Sequence, residues 1–76
     1  MSTPTRQIIA DNVDTLLRSV AIPRAELAQG MGIGEGSLNR ARYGYGNQSV
    51  EILDRIAEYF HIETWRLLAP KLGKNA

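Results

Sequence analysis

Between Gly36 and Val50 the chain carries no acidic residue, and within that stretch stand Arg40 and Arg42. Guanidinium groups in an acid-free segment suit the capture of oxyanions and base edges, because each presents a planar fork of donors. The acids lie mainly elsewhere, at Asp11, Asp14, Glu26, Glu51, Asp54, Glu58 and Glu63, so a net charge of only +1 conceals a local basic face. Other chemistry has little to work with. A single histidine, His61, and the absence of cysteine leave no metal site and no disulfide. There is no Gly-rich phosphate loop of the right form and no catalytic constellation. The chain does not read as an enzyme, and nothing in it asks for a cofactor.

The elements that hold these arginines must be helical. The 76 residues, 43% apolar, predict one small domain over 1–76, with an ordered core at about 4–70 and a loose tail at 71–76. No apolar run approaches the ~20 residues that span a bilayer. The opening MSTPTRQ lacks a secretory pattern. The expectation is a soluble protein of the cytoplasm.

Ile9, Val13, Leu16 and Val20 recur at helical spacing, with Leu17 widening the stripe. This first helix starts near Thr3 to Thr5, with Thr3 as cap and Pro4 at the first helical position. Ala21-Ile22-Pro23 ends it. A second helix runs from Pro23 or Arg24 to Met31, with Leu27, Ala28 and Met31 inward. Gly32 follows where left-handed backbone is common, and Ile33 anchors the turn. A third helix covers about Glu35 to Arg42, with Leu38 and Ala41 inward and Gly44 at its end. Tyr43 to Gln48 reads as a loop. Ser49 caps a fourth helix, Val50 to Phe60, with an apolar face of Ile52, Leu53, Ile56, Ala57 and Phe60. A short fifth helix, about Thr64 to Ala69, turns Trp65 and Leu68 inward and stops at Pro70. The fold class is all-α, a compact five-helix domain.

The pattern A28-x-x-x-G32-x-x-x-x-x-L38, the string A25-E26-L27-A28-Q29, and the closing S49-V-E-I-L-D-R-I-A-E-Y-F60 and W65-R-L-L-A-P70 resemble the Cro/C1-type helix-turn-helix family, which includes the repressors of lambdoid phages. The resemblance covers roughly Ile8 to Pro70. It implies a lambda repressor-like domain with a central helix-turn-helix and no catalysis. It also implies sequence-specific binding of double-stranded DNA in transcriptional control, in a prokaryotic cell or phage-infected host. A two-fold or near two-fold operator and a weak homodimer, formed in advance or on the DNA, belong to the same expectation. Carried over by position, Gly34 begins the recognition helix, and Glu35 and Gly36 form its first exposed turn, with Arg40 further along the same face. These four are the base-reading candidates. Arg24, Ser37, Asn39, Arg42, Tyr43, Asn47 and Gln48 are phosphate candidates. Trp65, Arg66 and Leu67 are candidates for a dimer contact, Leu67 as an exposed apolar residue off the main stripe. The alternative implied by the same fold is a protein-interaction module such as an antitoxin or adaptor.

Two residues depart from the family pattern. Glu35 is acidic where a groove contact is expected; it either accepts from cytosine N4 or orients Arg40 or Arg42. Gly36 has no side chain where a polar reader usually stands, and Gly34 and Gly36 each weaken a helix by up to about 1 kcal/mol against alanine. Either the backbone approaches DNA closely there, or the helix orders fully only on binding. Of Tyr43 and Tyr45, one ring is expected on the core and one hydroxyl on a phosphate, in preference to base stacking. Trp65 reads as a core closure between the first, fourth and fifth helices, His61 as a helix-end cap, and Glu51, Asp54 and Glu58 as a solvated acidic stripe.

Overall fold

A computed structural model describes residues 4–44 and 49–70. It holds four α-helices, α1 (Thr5–Arg18), α2 (Arg24–Met31), α3 (Glu35–Tyr43) and α4 (Val50–Tyr59), followed by a 3₁₀ helix at Thr64–Leu68; there is no strand among the described residues. The all-helical class is as expected. The fifth α-helix is not: one 3₁₀ segment stands in its place, bonded Arg66 N–H to Glu63 carbonyl and Ala69 N–H to Arg66 carbonyl. Five residues before Pro70 leave no room for a second α-helical turn.

α1 packs most extensively on α3 and also on the 3₁₀ segment, while α2 contacts both α3 and α4. Ile9, Val13, Leu17, Leu27, Ala28, Met31, Leu38, Ala41, Leu53, Ile56, Ala57 and Leu67 form the buried core. In α1 the buried stripe runs through Ile9, Val13 and Leu17, with Leu16 only half-buried, and α1 ends at Arg18 before Val20. Pro4 sits at the cap position with ψ 142°, not in the helix, and no side chain caps this end. Thr3 lies outside the described residues, as does the tail at 71–76.

Helices α2 and α4 end in the same way. After α2, Gly32 is left-handed (φ 74°); its N–H bonds the Gln29 carbonyl and that of Ile33 bonds the Ala28 carbonyl. After α4, His61 is left-handed (φ 58°), with its N–H on Glu58 and that of Ile62 on Ala57. Both are Schellman closures with an isoleucine following the left-handed residue and turned to the core. His61 is therefore the helix-end cap expected of it, in a geometry that glycine adopts without penalty. α2 and α4 also meet closely at Gly30, where a Cβ would lie 2.8 Å from Tyr59 Cε1.

The 3₁₀ segment is turned opposite to expectation. Leu67 is 0% exposed and belongs to the core, whereas Trp65 is 56% exposed and Leu68 is exposed too. In a 3₁₀ helix residues three apart eclipse, so Trp65 and Leu68 share one edge and Leu67 takes another. Trp65 and Leu68 share a face, as the sequence reading has it, but that face turns outward, and Leu67 stands inward instead. Asn12, only 2% exposed, sets the orientation. Its Nδ2 donates to the carbonyls of Leu67 (2.9 Å) and Ala69 (2.7 Å), with a longer contact to Arg66 (3.3 Å). The Leu67 and Ala69 carbonyls are backbone acceptors a short helix end cannot satisfy itself.

Candidate nucleic-acid interface

The segment Arg24–Tyr43 is positioned by its apolar residues. Leu27, Ala28 and Met31 fix α2, and Gly32 reverses the chain. Gly34, extended at ψ 150°, then opens α3. Leu38 and Ala41 are fully buried, and α3 lies against α1. The opposite edge of α3 faces solvent: Glu35, Gly36, Arg40 and Tyr43 are exposed, and Ser37 and Asn39 are half-buried at the margin. Glu35 in the first turn and Arg40 and Arg42 in the last complement the helix dipole.

The predicted residues do not all share this edge. Arg40 stands on it with no ion pair among the described residues. Arg42 turns back to α1, where its Nε donates to Asp14 Oδ1 at 2.8 Å, and only 16% of its side chain is exposed. The same carboxylate takes Arg18 Nε through Oδ2 at 3.1 Å. The proposal that Glu35 orients Arg40 or Arg42 is therefore corrected: Arg42 is held by Asp14, and among the described residues Glu35 has no ion pair. In the sequence Asp14 stands only among the acids outside the basic segment, although helical spacing places it beside Leu17 and Arg18 on the first helix.

Tyr43 does not pack on the core; it is half out in solvent with the Arg42 guanidinium 5.1 Å from its ring centre. Tyr45, Asn47 and Gln48 lie outside the described residues. Arg24 is half-buried at the start of α2 and lines a cleft with Leu17, Arg18, Ile22, Leu27 and Arg42. The Asn39 Oδ1 is buried without a hydrogen-bond partner. An amide oxygen accepts and so cannot bond a phosphate oxygen, and an amide there costs less if its oxygen finds a donor.

Neither Gly34 nor Gly36 is needed by the fold. A Cβ on either would meet nothing within 4 Å, and neither has positive φ. Gly36 lies within a continuous α3, so the first turn is already helical without a partner.

Of the dimer candidates, Trp65 and Arg66 are exposed and Leu67 is not. The Trp65 indole N–H donates to Glu63 Oε1 at 2.6 Å, and the Arg66 guanidinium lies 5.3 Å from its ring centre. Trp65 does not close the core. Helix α4 keeps its acidic stripe in solvent, with Arg55 3.9 Å from Glu51 and Thr64 donating to Asp54. Among the described residues no helix is long and apolar enough to cross a membrane. No family model, curated protein or solved structure matches the chain.

Proposed function

We propose that this chain is a helix-turn-helix regulator that binds double-stranded DNA, with α3 entering the major groove. The observation that carries the reading is the two-sidedness of α3. Leu38 and Ala41 anchor one side in the core, while Glu35, Gly36 and Arg40 stand exposed to solvent on the other. An α-helix held by one stripe and open to solvent along the other is what a major groove about 12 Å wide admits. Arg40, with no ion pair among the described residues, supplies either a bidentate contact to guanine or a phosphate contact. Glu35 then reads cytosine N4 rather than orienting an arginine. The partner is an operator of two-fold or near two-fold symmetry, bound by two copies whose α3 helices are about 34–36 Å apart or a multiple of it. Of the dimer candidates, Trp65 and Arg66 stay in this reading and Leu67 leaves it.

Selection of duplexes from a random pool, followed by titration of the chosen duplex at several salt concentrations, tests the proposal. A selected sequence with affinity falling steeply as salt rises is expected. Equal, weak binding to every duplex overturns it.

One observation favours a second reading, an interaction module gripping a protein. The Asp14–Arg42 pair withdraws one of two arginines from the basic segment and leaves Arg40 alone on the α3 edge. Arg40→Ala separates the two, because Arg40 is exposed and makes no ion pair among the described residues. Survival of operator affinity in that variant would remove α3 from the DNA interface.

A further inference from the structure

We propose that Asn12 is a positioning residue for the contact between two copies of the chain. From inside α1 it holds the 3₁₀ segment so that Trp65 and Leu68 face outward as one apolar edge. That role rests on the binding of two copies proposed above. Five residues closed by two backbone bonds, Arg66 N–H to Glu63 and Ala69 N–H to Arg66, do not hold a conformation by themselves. Side chains from two helices fix this segment. At its start Thr64 donates to Asp54 of α4 at 2.6 Å, on the surface. At its end the inner tether is Asn12, which is buried. An amide nitrogen carries two hydrogens. Asn12 Nδ2 makes two short bonds, 2.9 Å to the Leu67 carbonyl and 2.7 Å to that of Ala69. These acceptors bracket Leu68, so α1 pins the backbone on either side of an exposed leucine.

The edge so presented suits a second copy. Trp65 is exposed but tied: its indole N–H donates to Glu63 Oε1 at 2.6 Å, and the Arg66 guanidinium lies 5.3 Å from its ring centre. A large side chain already held in place loses little freedom on docking, and tryptophan and arginine are the types that most often dominate an interface. The charges beside the ring are one of each sign, Glu63 and Arg66. A two-fold contact brings the same patch against itself. A patch of one sign would then repel its copy, whereas this one sets the carboxylate of each copy beside the guanidinium of the other. Seating Leu67 in the core and turning Trp65 outward are one and the same orientation of the segment, and Asn12 holds it. Loss of that tether frees the end of the segment, and the edge loses the fixed geometry that a partner needs.

Duplexes carrying one or two half-sites of the selected operator, titrated with the intact chain, test this role. The parent is expected to fill two half-sites with a cooperativity of about 5–150-fold, the usual range for coupled sites. Trp65→Ala and Asn12→Leu, the latter close to asparagine in size, are each expected to bring that factor close to unity while affinity for a single half-site stays as in the parent. A residue that acts only on stability weakens binding to one and two half-sites alike, and that result overturns the proposal. So does cooperativity that survives in folded Asn12→Leu. Asn12→Ala is the second variant, held to the same outcomes. Should neither fold, amide exchange in the parent decides. The Ala69 N–H is expected to exchange as slowly as those of Val13 and Leu17, and exchange at the rate of a free chain overturns the tether. The remaining outcomes separate this role from the DNA reading. A parent that fills both half-sites independently overturns the role of Asn12 and leaves α3 as the reader. A parent that binds no duplex, yet self-associates in sedimentation and loses that association in Trp65→Ala and Asn12→Leu, refutes the DNA reading and upholds Asn12. Neither duplex binding nor self-association overturns both.

Discussion

Asp14 on α1 and Arg42 on α3 are joined by an Nε to Oδ1 bond of 2.8 Å across the most extensive helix contact of the fold. The pair ties the helix proposed to read DNA to the helix behind it. Because Arg42 is largely enclosed, removing its partner leaves a charge that water reaches poorly. Asp14→Asn is expected to destabilise the fold by about 1–2 kcal/mol, read as a lower urea midpoint at unchanged slope. A double-mutant cycle with Arg42→Gln is expected to return a coupling of about 1 kcal/mol. Additive effects would show that the contact contributes nothing.

The two Schellman closures give opposite responses to the same kind of change. His61 adopts φ 58° with a Cβ, and Gly32 adopts φ 74° without one. Left-handed backbone costs an L-residue about 1–2 kcal/mol. His61→Gly is expected to stabilise by up to about 1 kcal/mol, part of the gain being returned as unfolded-chain entropy. Gly32→Ala is expected to destabilise by at least about 1 kcal/mol, since its Cβ would also meet Arg55 Nη1 at 2.9 Å. Thermal unfolding of the two variants checks the signs, and equal signs would contradict the parallel.

Leu67 and Trp65 exchange the roles that α-helical spacing assigns them. Leu67→Ala opens the core and is expected to cost about 2–4 kcal/mol. Trp65→Ala, at a side chain more than half exposed, is expected to cost under about 1 kcal/mol. Chemical denaturation followed by far-ultraviolet circular dichroism measures both without relying on the indole. A larger loss for Trp65→Ala would return the tryptophan to the core.

These cases show what was legible in the chain. Where an apolar stripe runs at helical spacing, as in Leu27, Ala28 and Met31 or Leu53, Ile56 and Ala57, helix and buried face can both be read, because burial and period agree. Gly32 and Gly44 were legible as helix ends for the same reason: a left-handed residue needs no partner to be recognised. The 3₁₀ segment was not, because Trp65 and Leu68 share a face at either helical period, and which face turns inward is decided by the distant Asn12. The inward side of Asn12 was available in its spacing from Ile9, but its three carbonyl partners lie 54 to 57 residues away. The Asp14–Arg42 pair spans 28 residues and depends on how α1 crosses α3, which no local pattern encodes. Of the candidate site, the arginines were legible as charges, but not which of them the protein keeps for itself.

Gly36 gives the sharpest test of the α3 edge, because stability and binding should move in opposite directions. It sits in the first turn of α3, exposed, and a Cβ there would touch nothing within 4 Å. Glycine inside a helix costs about 0.5–1 kcal/mol relative to alanine, and no packing in this fold offsets that cost. Gly36→Ala is therefore expected to raise stability by about 0.5–1 kcal/mol in denaturant unfolding. If the bare backbone at Gly36 lies against a groove wall, the added methyl holds α3 away, and affinity for the selected duplex falls as the fold gains stability. A variant that binds as tightly as the parent would show that the first turn of α3 stays clear of the DNA, and the glycine would then have no function in the contact.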